Sequence, residues 1–433
     1  MTIIYSARWV LPVSAAAIEH SAVAVEGQRI AGIGPSDQIV AKFPEARIES
    51  LGEAVILPGL VNTHTHLELT ALRGYLEKEE NDFFAWLRKL TVARLERMTP
   101  DDIRVSATWG ACEAVRAGIT YVGDASDSAL LSMQALQEVG LRGVVYQESF
   151  GPDARLAHEN FEKLKIKVGE LRAHENELVR AGVSPHAPYT VCAPQLELIA
   201  DLANSEGLPL MMHAAESEAE ELLLRDGCGV FAEGLARRSI DWKAPGLSTI
   251  DYLKRHGILD TRPLLAHCIR VNDHDIETLR DTQCKVAHCP KSNAKLGHGR
   301  APFAKFIDAG VRIGLGSDSV ASNNTCDILE EARFATLLSR AAGSHITAED
   351  ALRAATFGGE LSEGAEADLI AVKLSGVHQT PSYDPVATLI FASSGRDVIL
   401  TVIAGREVYR DGRVTTVDED RLRARMNEIL SHG

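Results

Sequence analysis

Several things are scarce in this chain. Of 433 residues only seven are cysteine and 5% are aromatic. Cys112, Cys192, Cys228, Cys268, Cys284, Cys289 and Cys326 are dispersed, odd in number and form no Cys-x-x-Cys pair. A disulfide scaffold is therefore excluded as the organising device, and thiols in a reducing compartment are expected. Positive charge is also short: 45 Lys and Arg stand against 60 Asp and Glu, a formal net charge of −15. A nucleic-acid partner needs a local excess of cations, so none is expected. No apolar run reaches the ~20 residues that span a bilayer, so no membrane partner is expected either. The opening MTIIYSARWVLPVSAAAIEH lacks a basic segment followed by a clean apolar run, which points to a cytoplasmic protein. There is no internal repeat and no low-complexity tract.

What is present is ordinary for a soluble enzyme: 45% hydrophobic and 24% charged residues. That length supports a large core, as one big barrel or as two domains. Many enzymes of this size pair with a second copy, so a homodimer is an open assembly state.

The first 56 residues read as short strands separated by turns such as Glu26-Gly27-Gln28. The pattern then changes. Eight apolar strand segments alternate with helical ones: Val55–Val61, Thr120–Gly123, Arg142–Gln147, Gly182–Pro185, Leu210–His213, Pro263–His267, Lys285–His288 and Arg312–Gly316. Thr99 followed by Pro100 predicts a capped helix start. After residue 360 strand character returns at Leu369–Val372, Val386–Phe391, Val398–Ile403 and Arg406–Tyr409, and Asp418–Leu430 predicts a helix. The expectation is an α/β chain, a (β/α)₈ TIM-like barrel over residues 57–360, with a small composite β-sandwich domain from both chain ends, residues 1–56 and 361–433.

Ligand-type residues fall at the C-terminal ends of these strands, where a barrel gathers its reacting groups. His64 and His66 follow the first strand, and positions i and i+2 of an extended segment share a side. His213 ends the fifth strand, His267 the sixth, and Asp318 follows the eighth. Imidazoles with a carboxylate suit one divalent ion, Zn²⁺ or Fe²⁺. Each has a plainer reading. The His pair can be structural, His213 can bond a loop, and Asp318 in Gly316-Ser317-Asp318-Ser319 can cap a turn. Their coincidence at one mouth favours the metal.

The pieces Pro58-Gly59-Leu60-Val61-Asn62-Thr63-His64-Thr65-His66, Ser184-Pro185-His186-Ala187-Pro188-Tyr189 and His213-Ala214-Ala215-Glu216 are similar to the amidohydrolase superfamily. So are His267-Cys268, His288-Cys289-Pro290-Lys291-Ser292-Asn293, Gly314-Leu315-Gly316-Ser317-Asp318-Ser319 and Gly364-Ala365-Glu366-Ala367-Asp368-Leu369, in the same order. The resemblance is to the branch of nucleoside deaminases and triazine hydrolases. It implies that His64, His66, His213 and Asp318 hold one metal, without a carboxylated lysine. It implies that Glu216 shuttles protons, that His267 orients hydroxide or substrate, that Asp318 accepts the proton of attacking water, and that His186 contacts the substrate ring. A bound cation lowers the pKa of water from 15.7 toward 7.

Within that branch, Leu67-Glu68-Leu69 after the His pair, Phe83-Phe84-Ala85-Trp86-Leu87 and Asp241-Trp242-Lys243-Ala244-Pro245-Gly246 resemble the aminodeoxyfutalosine deaminases of menaquinone biosynthesis. The implied partner is a small-molecule adenine nucleoside. The thiomethyladenosine and S-adenosylhomocysteine enzymes often carry Trp-Pro-x-Glu after their Trp-Leu segment, and Leu90–Glu96 lacks it here. Those nucleosides and adenosine are the alternative substrates, with guanine-type deamination and dehalogenation behind them. Glu68, Arg73, Trp86 and His288 are the further expected substrate contacts. The plainer reading is helix packing for Phe83–Trp86 and a surface pair for Glu68 with Arg73. Ser292 and Asn293, like His288 at the seventh strand end, are expected either behind the metal ligands or in the pocket and not as ligands, and Asn323 and Asn324 are expected to order the loop carrying Asp318.

Overall fold

A computed structural model describes residues 2–431. At its centre is a ring of parallel strands in two four-stranded sheets. One sheet comprises Leu60–Thr65, Ile119–Ser126, Arg142–Ser149 and Val179–Pro185. The other comprises Met211–Ala214, Leu264–His267, Lys285–His288 and Arg312–Leu315. Single bridges join them at both seams, Val183 to Leu210 and Thr65 to Asp318. Helices lie between successive strands and cover the ring. Their starts are written locally. Thr99 accepts from the amide of Asp102, whose carboxylate returns the bond, and Pro100 occupies the first turn of Pro100–Arg116.

A second sheet of nine strands draws from both ends of the chain. It takes Thr2–Val10, Ile18–Glu26, Arg29–Pro35, Arg47–Ser50 and Ala54–Pro58 from the front. Leu369–Lys373, Val398–Ile403, Arg406–Arg410 and Arg413–Val414 come from the back. The sheet curls, so that the turn at Gly405 lies against the carbonyl of Gly27. Tyr5, Val23, Ile56, Leu369 and Leu400 fill its inner face. Val55, Leu57 and Ile370, on the opposite face by alternation, join the core around the ring.

Two sequence expectations need correcting. The single strand Val55–Val61 is two. Ala54–Pro58 pairs with Leu369–Lys373 in the second sheet, whereas Leu60–Thr65 enters the ring beside Ile119–Ser126. Gly59 makes the switch, because a Cβ there would lie 1.9 Å from Thr120 Oγ1. The segment Val386–Phe391 is not a strand but the body of helix Pro385–Ala392, capped by Asp384, which accepts from the amides of Val386 and Ala387. A short apolar run does not by itself distinguish the two states.

Candidate active site

His64, His66 and His213 bring a nitrogen each to within 4.8 Å of one another. His213 Nδ1 lies 2.8 Å from the carbonyl of His186, which holds a proton there and leaves Nε2 free. That Nε2 faces His66 Nε2 at 3.2 Å. His64 Nε2 is buried with no hydrogen-bond partner and lies 3.4 Å from Asp318 Oδ1. Asp318 Oδ1 is also 3.6 Å from His66 Nε2. The other oxygen, Oδ2, accepts from Ser292 Oγ at 2.6 Å and Ser322 Oγ at 2.9 Å. The carboxylate is thus anchored on one side and presented on the other. Gly316 permits this closeness, since a Cβ there would lie 3.0 Å from the His64 carbonyl.

Burial pushes the imidazoles toward their neutral form: His64 falls, His66 falls to about 4, and His213 falls far below the usual value. Burial alone would raise Asp318, but His64, His267 and His66 outweigh it and hold the carboxyl well below its ordinary range. Neutral imidazole lone pairs crowd one point beside a carboxylate, and one of those nitrogens is buried without a proton donor. Such a set fits a divalent cation.

Glu216 stands at the edge of this cluster. Its Oε1 is 3.6 Å from His267 Nε2 and 3.7 Å from His298 Nε2, and Tyr189 donates to Oε2 at 3.4 Å. Buried Glu220 braces the turn beneath it by accepting from the amides of Ala215 and Glu216 and from Thr249. Leu264 and Ala266 pack among the ring's interior side chains, so strand alternation would send His267 outward. A left-handed φ of 73° accompanies its turn to the cavity, and Asn293 Oδ1 holds its Nδ1 at 2.9 Å. Asp318 is likewise left-handed, with φ 57°. Strained backbone of this kind gathers at functional sites. Burial works to lower the pKa of His267, but Glu216 and Asp318 outweigh it and raise the value.

The cluster floors a cavity of about 450 Å³. Its roof comes from helix Phe83–Val92 and the wider turn Ala93–Arg97: Phe83, Trp86, Leu87, Leu90, Arg94 and Leu95 all face in. His186 lines the wall, its Nδ1 2.9 Å from Thr190 Oγ1. Glu68 also lines the wall and is not a surface residue, but its carboxylate is already engaged by Arg94 at 3.0 Å, Ser126 Oγ at 2.7 Å and the Ser128 amide at 3.1 Å.

Two expected substrate contacts lie elsewhere. Arg73 does not reach the cavity. The 3₁₀ turn Leu67–Leu72 carries it to another cleft, where it binds Glu113 and the Asn324 carbonyl. His288 is buried outside the cavity, its ring stacked 5.2 Å from Phe303. Ala287 takes the inward position of that strand, so the next side chain points to the helices. Asn323 meets its expectation by donating to the Ser317 carbonyl and to Glu331, both at 2.6 Å.

Sequence reasoning missed Glu148, His298, Tyr189 and Arg94. Glu148 is the last residue but one of the third ring strand, so the strand-end rule that singled out His213 applied to it equally. It is 6% exposed and lines the cavity, and its buried Oε1 has no hydrogen-bond partner. His298 sits in Gly297-His298-Gly299 with no periodic signal, and only the chain's return to the mouth brings it to Glu216.

Comparison with known proteins agrees with this geometry. Residues 55–408 match the amidohydrolase family model. A 5-methylthioadenosine/S-adenosylhomocysteine deaminase of Pelotomaculum thermopropionicum is 32% identical over 417 residues, covering 93% of this chain and 91% of the relative. A zinc-bound adenosine deaminase from Xanthomonas campestris superposes with TM-score 0.88 at 27% identity, covering 99% and 98% of the two chains. The Helicobacter pylori aminofutalosine deaminase in complex with methylthio-coformycin shares the fold, with TM-score 0.77 at 21% identity over 94% and 99%. With the family model spanning the whole ring and a relative this similar along nearly its full length, the chain belongs to the amidohydrolase family and is one of its hydrolases.

Proposed function

We propose that this protein hydrolyses the 6-amino group of an adenine nucleoside, releasing ammonia. The observation that carries the reading is the placement of Glu216, between His267 and His298 and beside the three-imidazole cluster, at the floor of a cavity roofed by apolar side chains. His64, His66, His213 and Asp318 would hold one divalent ion, zinc or ferrous iron. Such an ion, when bound, supplies the charge that makes hydroxide available at neutral pH.

The chain's own residues supply the rest. Asp318 accepts the proton of the attacking water through Oδ1, while Ser292 and Ser322 keep its other oxygen in place. Glu216 gives a proton to the ring nitrogen next to the attacked carbon, which makes that carbon electrophilic; the departing amine then takes the proton that Asp318 removed from water, and the hydroxyl proton of the ring adduct returns to Glu216. The C–N bond breaks, ammonia leaves and the ring keeps an oxygen. His267, fixed by Asn293, orients the attacking oxygen. His186 borders the ring, and Phe83, Trp86 and Leu87 exclude water above it. Glu148, whose buried Oε1 has no hydrogen-bond partner and lies 4.0 Å from His66 Nδ1, takes a polar group of the nucleoside, for which a ribose hydroxyl is the natural donor. The expected boundary at residue 57 then moves to the Gly59 switch, with the catalytic unit running from there to residue 360 and the segments before it and after it, 361–433, forming the composite β unit.

The finer proposal is 6-amino-6-deoxyfutalosine, an adenine nucleoside with an aryl extension. Leu90 and Leu95 line the roof where the Trp-Pro-x-Glu element is missing, and the cation beside them, Arg94, is already paired with Glu68 and Asp127. That wall suits an apolar ring better than a free amino acid. The second reading, methylthioadenosine or S-adenosylhomocysteine, is favoured by the 32% identical relative. Ammonia release by zinc- or iron-loaded protein across these nucleosides and adenosine tests both. The highest kcat/KM is expected for 6-amino-6-deoxyfutalosine. A preference for either alternative overturns the finer proposal, and no ammonia from any of them overturns the coarser one.

A further inference from the structure

The opposite mouth of the ring, at the N-terminal ends of the strands, holds another cavity of about 480 Å³. Tyr121, Tyr146, Arg180, Arg262, Lys285 and Phe357 line it, and no Asp or Glu does. In a chain with a formal charge of −15, a cavity wall with cations and no carboxylate is out of character. Lys285 is also the register partner of Arg312 on the next strand. Like charges in register on neighbouring strands repel, and Arg312 is engaged instead by the Phe357 carbonyl. Burial, together with Arg312 and Arg262, drives the Lys285 ammonium down in pKa.

Most of the charged and phenolic groups here are unspent, and the Lys285 ammonium donates to the Arg262 carbonyl at 3.3 Å. Among the described residues, Arg180 and Arg262 make no ion pair or side-chain hydrogen bond, and the hydroxyls of Tyr121 and Tyr146 bond to nothing. Tyr146 is only 6% exposed. Arg180 is close enough to both phenols to oppose the rise that burial imposes on their pKa. Phe357 presents a ring with the Arg312 guanidinium 4.4 Å from its centroid. Arg262 and Phe357 both take a left-handed φ of 51°. Neither is a residue type that favours that region.

We propose that this cavity binds an aromatic anion, a planar ring bearing a phosphate or a carboxylate. The ring lies among Tyr121, Tyr146 and Phe357. The anion meets Arg180, Arg262 and Lys285, with the phenols as further donors. The site is on the face opposite the reaction cavity, so its ligand does not compete with the nucleoside.

Calorimetric titration of the metal-loaded full chain at low salt, where such contacts are least screened, tests this. The probes are phenyl phosphate, benzoate and phenol. At least one anion is expected to bind with a Kd of about 1 mM or below, and phenol is expected not to bind. In the double variant R180Q/K285Q the affinity for that anion is expected to fall at least tenfold, with metal content and Tm retained. Tighter phenyl phosphate assigns the phosphate source, and tighter benzoate assigns the carboxylate. Binding of neither anion, binding of phenol as tight as theirs, or an undiminished affinity in the double variant overturns the proposal. Adenosine at saturating concentration is expected to leave the anion titration unchanged, and its displacement of the anion likewise overturns it.

Discussion

His64, His66, His213 and Asp318 stand on or just beyond the ends of ring strands, whereas Phe83, Trp86, Leu87 and Leu90 reach the same cavity from a helix laid across its mouth. The floor is anchored twice over. Each strand is hydrogen-bonded to its neighbours, and the side chains are held by the His186 carbonyl, Ser292, Ser322 and Asn293. The roof hangs on fewer ties. Asp82 caps its helix, and Arg94 spans from the roof to Glu68 and Asp127 on the wall. Chemistry that tolerates no displacement sits on the rigid part, and contacts that choose a substrate sit on the part that can vary.

Substitutions separate the two regions. The largest loss is expected from Asp318→Asn. Removing a charged oxygen from the ion's surroundings costs several kcal/mol, so turnover should fall roughly a thousandfold or more, with loss of bound metal in elemental analysis. Retained metal and turnover would break the assignment of the floor. Glu216→Gln should keep the metal and lower kcat by about 10²–10⁴, because only the proton transfer is removed. Near-normal kcat in that variant would end the shuttle role.

Roof changes should act on binding and stability instead. Arg94→Met leaves Glu68 buried without its cation. The mean expected loss is about 3 kcal/mol of folding stability, read as a lower urea midpoint, with metal content preserved. Trp86→Ala should raise KM about tenfold with kcat within a factor of about three, since it removes ring area without touching the reacting atoms. If Trp86→Ala lowered kcat as severely as Glu216→Gln, the division between floor and roof would fail. Arg73→Gln is the smallest, with kcat and KM expected within about twofold, because its guanidinium faces a separate cleft.

Much of the floor was legible beforehand because ligand residues recur at strand ends, and a (β/α)₈ ring gathers those ends at one mouth. The same rule covered Glu148, which is in plain view after Gln147. His288 failed for the opposite reason: it too ends a strand, but on the outward phase of the alternation, beside Phe303. Arg73 failed because a short 3₁₀ turn after His66 changes direction in a way residue spacing does not record. The strand expected at Val386–Phe391 failed because a short apolar run satisfies either periodicity, and Asp384 with Pro385 decided for helix.

By itself the sequence determined the eightfold alternation, the helix starts at capping residues, and which side chains were chemically able to hold a cation. These are local properties, set by residue type and by periods of two and 3.6. Only the tertiary structure decided which imidazole lone pairs face one another, that Glu68 is already spent on Arg94, that His298 joins Glu216, and that cations collect at the far mouth. Those depend on the closure of the ring and on backbone turns such as the left-handed one at His267, where packing over long sequence separations overrides local preference.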